Sequence, residues 1–121
     1  MNDLANRRRF ARVNVGTDHT VRFQLQGREL VGLTMTNLSA GGCCVKVHPT
    51  QAEPLDKGVA VEGLFLVHPR IPSVPLQATV CWLMGKQPGK VDGFTLVGFE
   101  FTNISSQYQE TLDAYVTELL K

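Results

Sequence analysis

The sequence predicts a mainly β protein: an antiparallel six- to seven-stranded β-barrel, or a sandwich of the same strands, with a C-terminal α-helix and a flexible basic N-terminal arm. Three observations support this fold class. Apolar and polar residues alternate over several short stretches separated by turn residues, which is the pattern of half-buried strands. Near the C-terminus the apolar period lengthens to that of an amphipathic helix. Four arginines lie within the first twelve residues.

The length and composition fit one globular domain. The chain has 121 residues, of which 43% are hydrophobic and 19% charged, and these values exclude an intrinsically disordered or coiled-coil chain. We expect an arm at residues 1–12, a barrel at 13–104 and a helix of the same domain at 105–121. Neither a membrane-spanning apolar run nor an apolar stretch after the basic cluster is present, so we expect a cytoplasmic protein without membrane insertion.

The strands follow from alternation and turn residues. Residues 20–25 and 32–36 alternate on either side of Gln26-Gly27, which predicts a hairpin with a tight turn. Further strands are predicted at residues 43–48, 58–67, 76–84 and 94–101, with residues 49–57 as a surface loop. The apolar alternation of the last strand breaks around Val97-Gly98, which indicates a bulge or a close approach of the backbone.

An apolar stripe predicts the C-terminal helix. It consists of Tyr108, Leu112, Tyr115, Val116, Leu119 and Leu120. Ser106 and Gln109 fit a capping box at the helix start. The stripe must be buried, either on a barrel mouth or sheet face of the same domain or in a dimer contact. We therefore expect a monomer or a weak homodimer.

The charge distribution is uneven. Residues 1–12 carry a net charge of +3, whereas residues 13–121 carry eight basic and ten acidic side chains, a net charge of −2. Arg8 and Arg12 are four residues apart, so their side chains lie on the same side of a helical or an extended arm. Two guanidinium groups at this spacing suit phosphate oxygens or a guanine edge. The alternative is a solvated, disordered terminus.

A polar loop is predicted at residues 37–42, after the first hairpin. The side chains of Asn37 and Ser39 either hold their own turn together or reach a base edge. The glycines at its end permit close approach by a ligand.

Together, Arg-x-x-x-Arg and a following Asn/Asp-x-Ser-x-x-Gly resemble the PilZ domain. The matching residues are Arg8, Arg12, Asn37, Ser39 and Gly42. Val97-Gly98-Phe99-Glu100-Phe101 is also similar to the last strand of that family, so the resemblance covers nearly the whole chain. This sequence has Asn at position 37, where Asp is commoner in the family.

The resemblance implies a receptor for the bacterial second messenger cyclic di-GMP, with no other cofactor. By analogy, Arg8 and Arg12 contact guanine edges and phosphates, and Asn37 and Ser39 hydrogen-bond a guanine. Gly42 lets the ligand approach the barrel. We expect ligand binding to order the arm and to change the surface offered to a downstream partner protein.

Three further residues are predicted at the ligand site with less support from the motifs. Arg7 corresponds to an arginine that contacts a second ligand molecule in related proteins. Trp82, the only tryptophan, packs either against a base or within the core or against the helix. Gly98 belongs to the last-strand motif.

Two other function classes stay open. A nucleic-acid-binding barrel would use the arm and surface aromatics, but the net negative body argues against a long phosphate track, and no nucleic acid polymer is expected. A PilZ-like adaptor would bind only protein, through the helix stripe. We expect no enzyme activity and no metal, because no nucleophile has a plausible neighbouring base and His19, His48 and His68 lack metal-ligand spacing.

Overall fold

The computed structural model of the chain describes residues 10–87, 89 and 92–121. This part contains seven strands and two helices, in the order β1 (Arg12–Asn14), β2 (Thr20–Leu25), β3 (Arg28–Ser39), β4 (Gly42–Val47), α1 (Pro49–Ala52), β5 (Ala60–Val67), β6 (Leu76–Met84), β7 (Thr95–Asn103) and α2 (Ser106–Leu119). Neither described helix is both long and apolar enough to cross a membrane.

The strands form a closed antiparallel barrel with one extra strand. The hydrogen-bonded order is β1-β3-β2-β5-β6-β7-β4, and β4 also pairs with β3, which closes a ring of six strands. Inward-facing side chains fill this ring. The largest fully buried side chains of the core are Phe23, Met35, Leu38, Leu64 and Leu66 from the strands, joined by Leu55 from the segment after α1 and Leu112 from α2. The predicted six- to seven-stranded barrel with a C-terminal helix is confirmed.

The first hairpin has the predicted tight turn. Gln26 and Gly27 have φ angles of 52° and 76°, and Leu25 pairs with Arg28. Positive φ at both central residues is the geometry of a type I′ turn, whose twist matches that of the flanking strands.

Helix α2 closes one end of the barrel. Its Tyr108, Leu112, Tyr115 and Val116 are buried against the barrel. The apolar stripe is therefore covered within the chain, and these four side chains are not available for a dimer contact. Leu120 is 52% exposed.

The helix start differs from the prediction. The N-cap is Ser105, whose hydroxyl accepts a hydrogen bond from the Tyr108 N–H at 3.1 Å. Gln109 does not reach back to the helix start, because its side-chain amide donates to the Ala40 carbonyl at 3.3 Å. The predicted capping box of Ser106 and Gln109 is wrong by one residue, since Ser106 is the first helical residue.

Two loop predictions are also corrected. Strand β3 extends to Ser39 and β4 begins at Gly42, so the expected loop at 37–42 is a strand end with a two-residue turn. Residues 49–57 include α1 and bury Ala52 and Leu55 completely. This segment therefore contributes to the core instead of lying wholly on the surface.

Of the bulge or close approach expected around Val97-Gly98, the close approach lies at Gly98, under the Trp82 ring, and the bulge lies on the neighbouring strand. In β7, alternate residues Thr95, Val97, Phe99 and Phe101 are buried without interruption, and the pairing with β4 keeps its register. The pairing of β7 with β6 shifts register twice, between Gln77 and Ala78 and, beside Gly98, between Val80 and Trp82. Cys81 is the extra residue of this β6 bulge, opposite Gly98 and Phe99.

Candidate functional site: a polar groove on the outer barrel face

A polar groove of about 530 Å³ runs over the outer face of the barrel. Strands β1, β3, β4, β7 and β6 line it. The lining residues are Phe10, Arg12, Asn37, Ser39, Gly41, Gly42, Cys43, Cys44, Cys81, Trp82, Phe99, Glu100 and Phe101. Four predicted ligand residues of the two motifs, Arg12, Asn37, Ser39 and Gly42, therefore share one concave surface.

Strand β1 brings the second arginine of the first motif to the second motif. Arg12 is the antiparallel register partner of Ser39, and Asn14 is the partner of Asn37. Arg12 thus belongs to a strand, and the paired part of the chain begins one residue before the predicted boundary at 13. The predicted ligand residues Arg7 and Arg8 lie outside the described residues.

The Ser39 hydroxyl holds its own turn together. It accepts a hydrogen bond from the Gly41 N–H at 3.1 Å and donates to the Gly42 carbonyl at 3.4 Å. This contact fixes the turn between β3 and β4 and so positions the hydroxyl at the groove. The Asn37 amide is half-buried and makes no hydrogen bond to another described residue.

Gly42 is required by the barrel itself. A Cβ at this position would collide with the carbonyl oxygen of Phe99 on β7. A Cβ at the neighbouring Gly41 would meet only ordinary contacts, the nearest being Phe10 Cδ2 at 3.5 Å. Gly42 therefore allows strand β7 to lie close by, whereas the family resemblance implies that it allows the ligand to approach.

Trp82 forms one wall of the groove. Its indole lies over Gly98, the register partner on β7, where a Cβ would collide with Nε1, Cε2 and Cδ1. The side chain is 38% exposed and lies on the outer face. This exposure places Trp82 outside the buried core. Gly98 is buried beneath the indole and does not itself line the groove.

The charges in the groove balance. Among its described lining residues, Arg12 is the basic one and Glu100 the acidic one. Burial raises the pKa of the Cys81 thiol, Glu100 raises it further and Arg12 opposes both. The charges of Glu100 and Arg12 therefore both act on the Cys81 thiol. The described lining residues of the groove therefore carry no net charge.

Eight of the lining residues were not predicted as site residues from the sequence: Phe10, Gly41, Cys43, Cys44, Cys81, Phe99, Glu100 and Phe101. For Glu100, strand alternation gave a usable signal, because it lies between the inward-facing Phe99 and Phe101. The bulge changes the side-chain alternation around Cys81, and no sequence pattern marks that bulge.

Comparison with known proteins decides the family. The family model for the PilZ domain matches residues 6–118. The chain belongs to the PilZ domain family. Among curated proteins, none matches it significantly.

Solved structures share the PilZ fold at low sequence identity. The PilZ domain of YcgR from Escherichia coli, solved with c-di-GMP, aligns with a TM-score of 0.70 at 16% identity, covering 94% of this chain and 92% of that one. The Bacillus subtilis inhibitor of motility (MotI/DgrA) aligns with a TM-score of 0.73 at 19% identity, and the alignment covers 93% of this chain and 51% of that one. The K. pneumonia MrkH–c-di-GMP complex aligns with a TM-score of 0.77 at 14% identity, and the alignment covers 93% of this chain and 52% of that one. This PilZ chain spans about half the length of MotI and MrkH.

Proposed function

We propose that this chain is a receptor for cyclic di-GMP and binds the dinucleotide in the outer groove. One observation carries the proposal: Arg12, Asn37 and Ser39, which the two family motifs single out, meet on one concave surface although 24 residues separate the motifs. The c-di-GMP complexes of MrkH and of the YcgR PilZ domain, which share the fold, support the same ligand.

The groove offers the chemistry that a guanine nucleotide needs. The Arg12 guanidinium is a planar fork of donors that fits phosphate oxygens or the O6/N7 edge of guanine. Its exposed position leaves it accessible to a ligand. Asn37 has a side-chain amide with no described partner, so it is available to a base edge. The exposed part of the Trp82 ring is a stacking surface for a purine.

The arm supplies the charge that the described groove lacks. Arg8 lies four residues before Arg12 and brings a second guanidinium to the two phosphates, while the family resemblance implies that Arg7 contacts a second ligand molecule. Ordering about six arm residues costs ~1–2 kcal/mol each. Charge-assisted hydrogen bonds of ~1.5–3 kcal/mol each offset that cost. Binding therefore orders the arm.

The ordered arm changes the surface that a downstream partner protein meets. Hydrogen exchange measured with and without cyclic di-GMP tests this step. We expect slower exchange at residues 6–12 when the ligand is bound. Unchanged exchange there, with binding shown by another method, would contradict the arm mechanism and leave the receptor function standing.

Calorimetry tests the binding itself. Cyclic di-GMP should bind the wild-type chain at one or two molecules per chain, and Arg12→Ala and Arg8→Ala should each weaken binding at least tenfold. The matched control is Arg22→Ala on β2. Its guanidinium packs over the Phe65 ring, 4.3 Å from the centroid, and it does not line the groove. No heat with the wild type would favour a protein-only adaptor.

The two alternative functions have less support. An adaptor that binds through the helix stripe needs that stripe accessible, but four of its six residues are buried against the barrel. A nucleic-acid barrel needs a track of positive charge, whereas the described groove residues carry equal numbers of basic and acidic groups. Steeply salt-dependent binding of oligonucleotides would support this second alternative.

A further inference from the structure

Two histidines and an aspartate that do not line the groove meet beside helix α2. Asp18 and His19 directly precede β2, and His68 follows β5. The His19 Nδ1 lies 2.9 Å from Asp18 Oδ1, and the His68 Nε2 lies 3.3 Å from Asp18 Oδ2. One potential ligand atom from each residue lies within 4.8 Å of the other two.

We propose that Asp18, His19 and His68 form a binding site for a divalent transition-metal ion. Two imidazole nitrogens and one carboxylate are a donor set for Zn²⁺, Co²⁺ or Ni²⁺, whereas Mg²⁺ and Ca²⁺ prefer oxygen ligands only. Both ring nitrogens already face the same carboxylate. The ion would replace the protons on His19 Nδ1 and His68 Nε2, which hydrogen-bond these rings to the Asp18 carboxylate.

Tyr115 orients the buried ligand. The His19 ring is nearly buried, with 7% of its side chain exposed, and its Nε2 lies 2.7 Å from the Tyr115 hydroxyl on α2. When Nδ1 binds a metal, Nε2 carries the remaining proton and donates it to that hydroxyl. Such a partner on the far ring nitrogen is typical of metal-binding histidines.

The site also has an open side. The Asp18 side chain is 68% exposed, so an ion can enter from solvent and keep water in its remaining positions. A site with three protein ligands and open positions is a common arrangement for zinc.

Metal binding requires two structural changes, a rotation of one histidine ring and the loss of one backbone hydrogen bond. The His19 and His68 rings are stacked, with centroids 4.0 Å apart and an angle of 14°, so one ring must turn for both lone pairs to meet at one ion. In addition, the His68 Nδ1 accepts the Arg70 N–H at 3.1 Å. Metal on Nε2 moves the proton to Nδ1, and the Arg70 amide then loses its acceptor.

Titration with Co²⁺, followed by visible absorption, and with Zn²⁺, followed by calorimetry, tests the site. We expect one ion per chain, and at least tenfold weaker binding in His68→Ala. His48→Ala is the matched control, because His48 lies outside the cluster and caps α1. The Arg70 amide should exchange faster with deuterium when Zn²⁺ is bound.

Asp18→Asn keeps the test independent of folding, because this exposed side chain changes by one atom. It should also weaken Zn²⁺ binding at least tenfold while the circular dichroism spectrum stays unchanged. Absence of saturable binding to the wild type, or equal binding in His68→Ala and Asp18→Asn, would overturn the proposal. A cobalt–thiolate band in the near ultraviolet would do so too, because it would place the ion on a cysteine.

Discussion

The indole of Trp82 covers Gly98, its register partner on the next strand, so that no side chain larger than hydrogen fits between them. Glycine weakens a strand because it has no side chain to pack. An aromatic ring on the neighbouring strand compensates by covering the exposed backbone. The pair thus gives the groove a flat aromatic wall, fixed by the sheet.

Replacing Gly98 with alanine should displace that wall. The new Cβ would occupy the place of the indole, so we expect a shifted emission spectrum of Trp82, the only tryptophan. Overpacking of this kind costs about 1–3 kcal/mol of unfolding free energy. Cyclic di-GMP should bind more weakly. An unchanged emission spectrum and an unchanged affinity would show that the indole does not depend on Gly98.

The two glycines of the β3–β4 connection should respond differently to alanine. Gly42→Ala places a Cβ against the Phe99 carbonyl, where backbone must move, so the β4–β7 pairing should weaken by about 1–3 kcal/mol. Gly41→Ala meets only ordinary contacts and should change stability by less than about 0.5 kcal/mol. Urea unfolding of both variants measures the difference. Equal losses in both would contradict the close approach of β7.

The rate at which Cys81 is alkylated should depend both on pH and on whether cyclic di-GMP is bound. Burial first, and Glu100 second, raise the pKa of this thiol, so at pH 8 it holds less thiolate than a free cysteine and reacts more slowly. Glu100→Gln should speed the reaction, and Arg12→Ala should slow it further. Because Cys81 lines the groove, cyclic di-GMP should protect it.

The same pKa shift has a consequence for stability. Folding raises the pKa of Cys81, so its contribution is fully present below the thiol's unfolded pKa and is lost as the pH rises through the folded value. The unfolding free energy of the wild type should therefore decrease as the pH rises into the alkaline range, and the unfolding free energy of Cys81→Ala should decrease less. Mass spectrometry after alkylation gives the rates, and Cys43, which is 4% exposed and whose thiol pKa is raised by burial, should react more slowly than Cys81.

The position of the helix cap is testable with adjacent serines. Ser105→Ala removes the hydroxyl that accepts the Tyr108 N–H and should cost about 1 kcal/mol. Ser106→Ala is the control, because Ser106 is the first helical residue and caps nothing. A larger loss in Ser106→Ala than in Ser105→Ala would restore the capping box expected from the sequence pattern.

The sequence predicted the barrel because local patterns determine its parts. The alternation in β2 and the Gln26-Gly27 turn each carry enough local signal to place a hairpin. Register was harder to predict. The bulge at Cys81 depends on how β6 meets β7, and the choice of Ser105 over Ser106 as the cap depends on where β7 ends.

The candidate groove was predictable in outline for a different reason. Its polar residues follow family motifs, so Arg12 and Ser39 could be named together before their pairing was known. The cluster of His19 and His68 could not, because 48 residues separate them and only the pairing of β2 with β5, which sets Thr20 opposite Val67, brings them together. Sequence spacing therefore indicated no metal site, although the fold places three potential ligands side by side.

The most direct test of the account is an NMR titration of the ¹⁵N-labelled chain with cyclic di-GMP. The amides of Ser39 and Gly42 and the indole N–H of Trp82 should shift together and saturate with the ligand. The amides of Gln26 and Gly27, in the turn between β2 and β3, should stay in place. Shifts confined to that turn, or no shifts at all, would contradict the assignment of the groove as the ligand site.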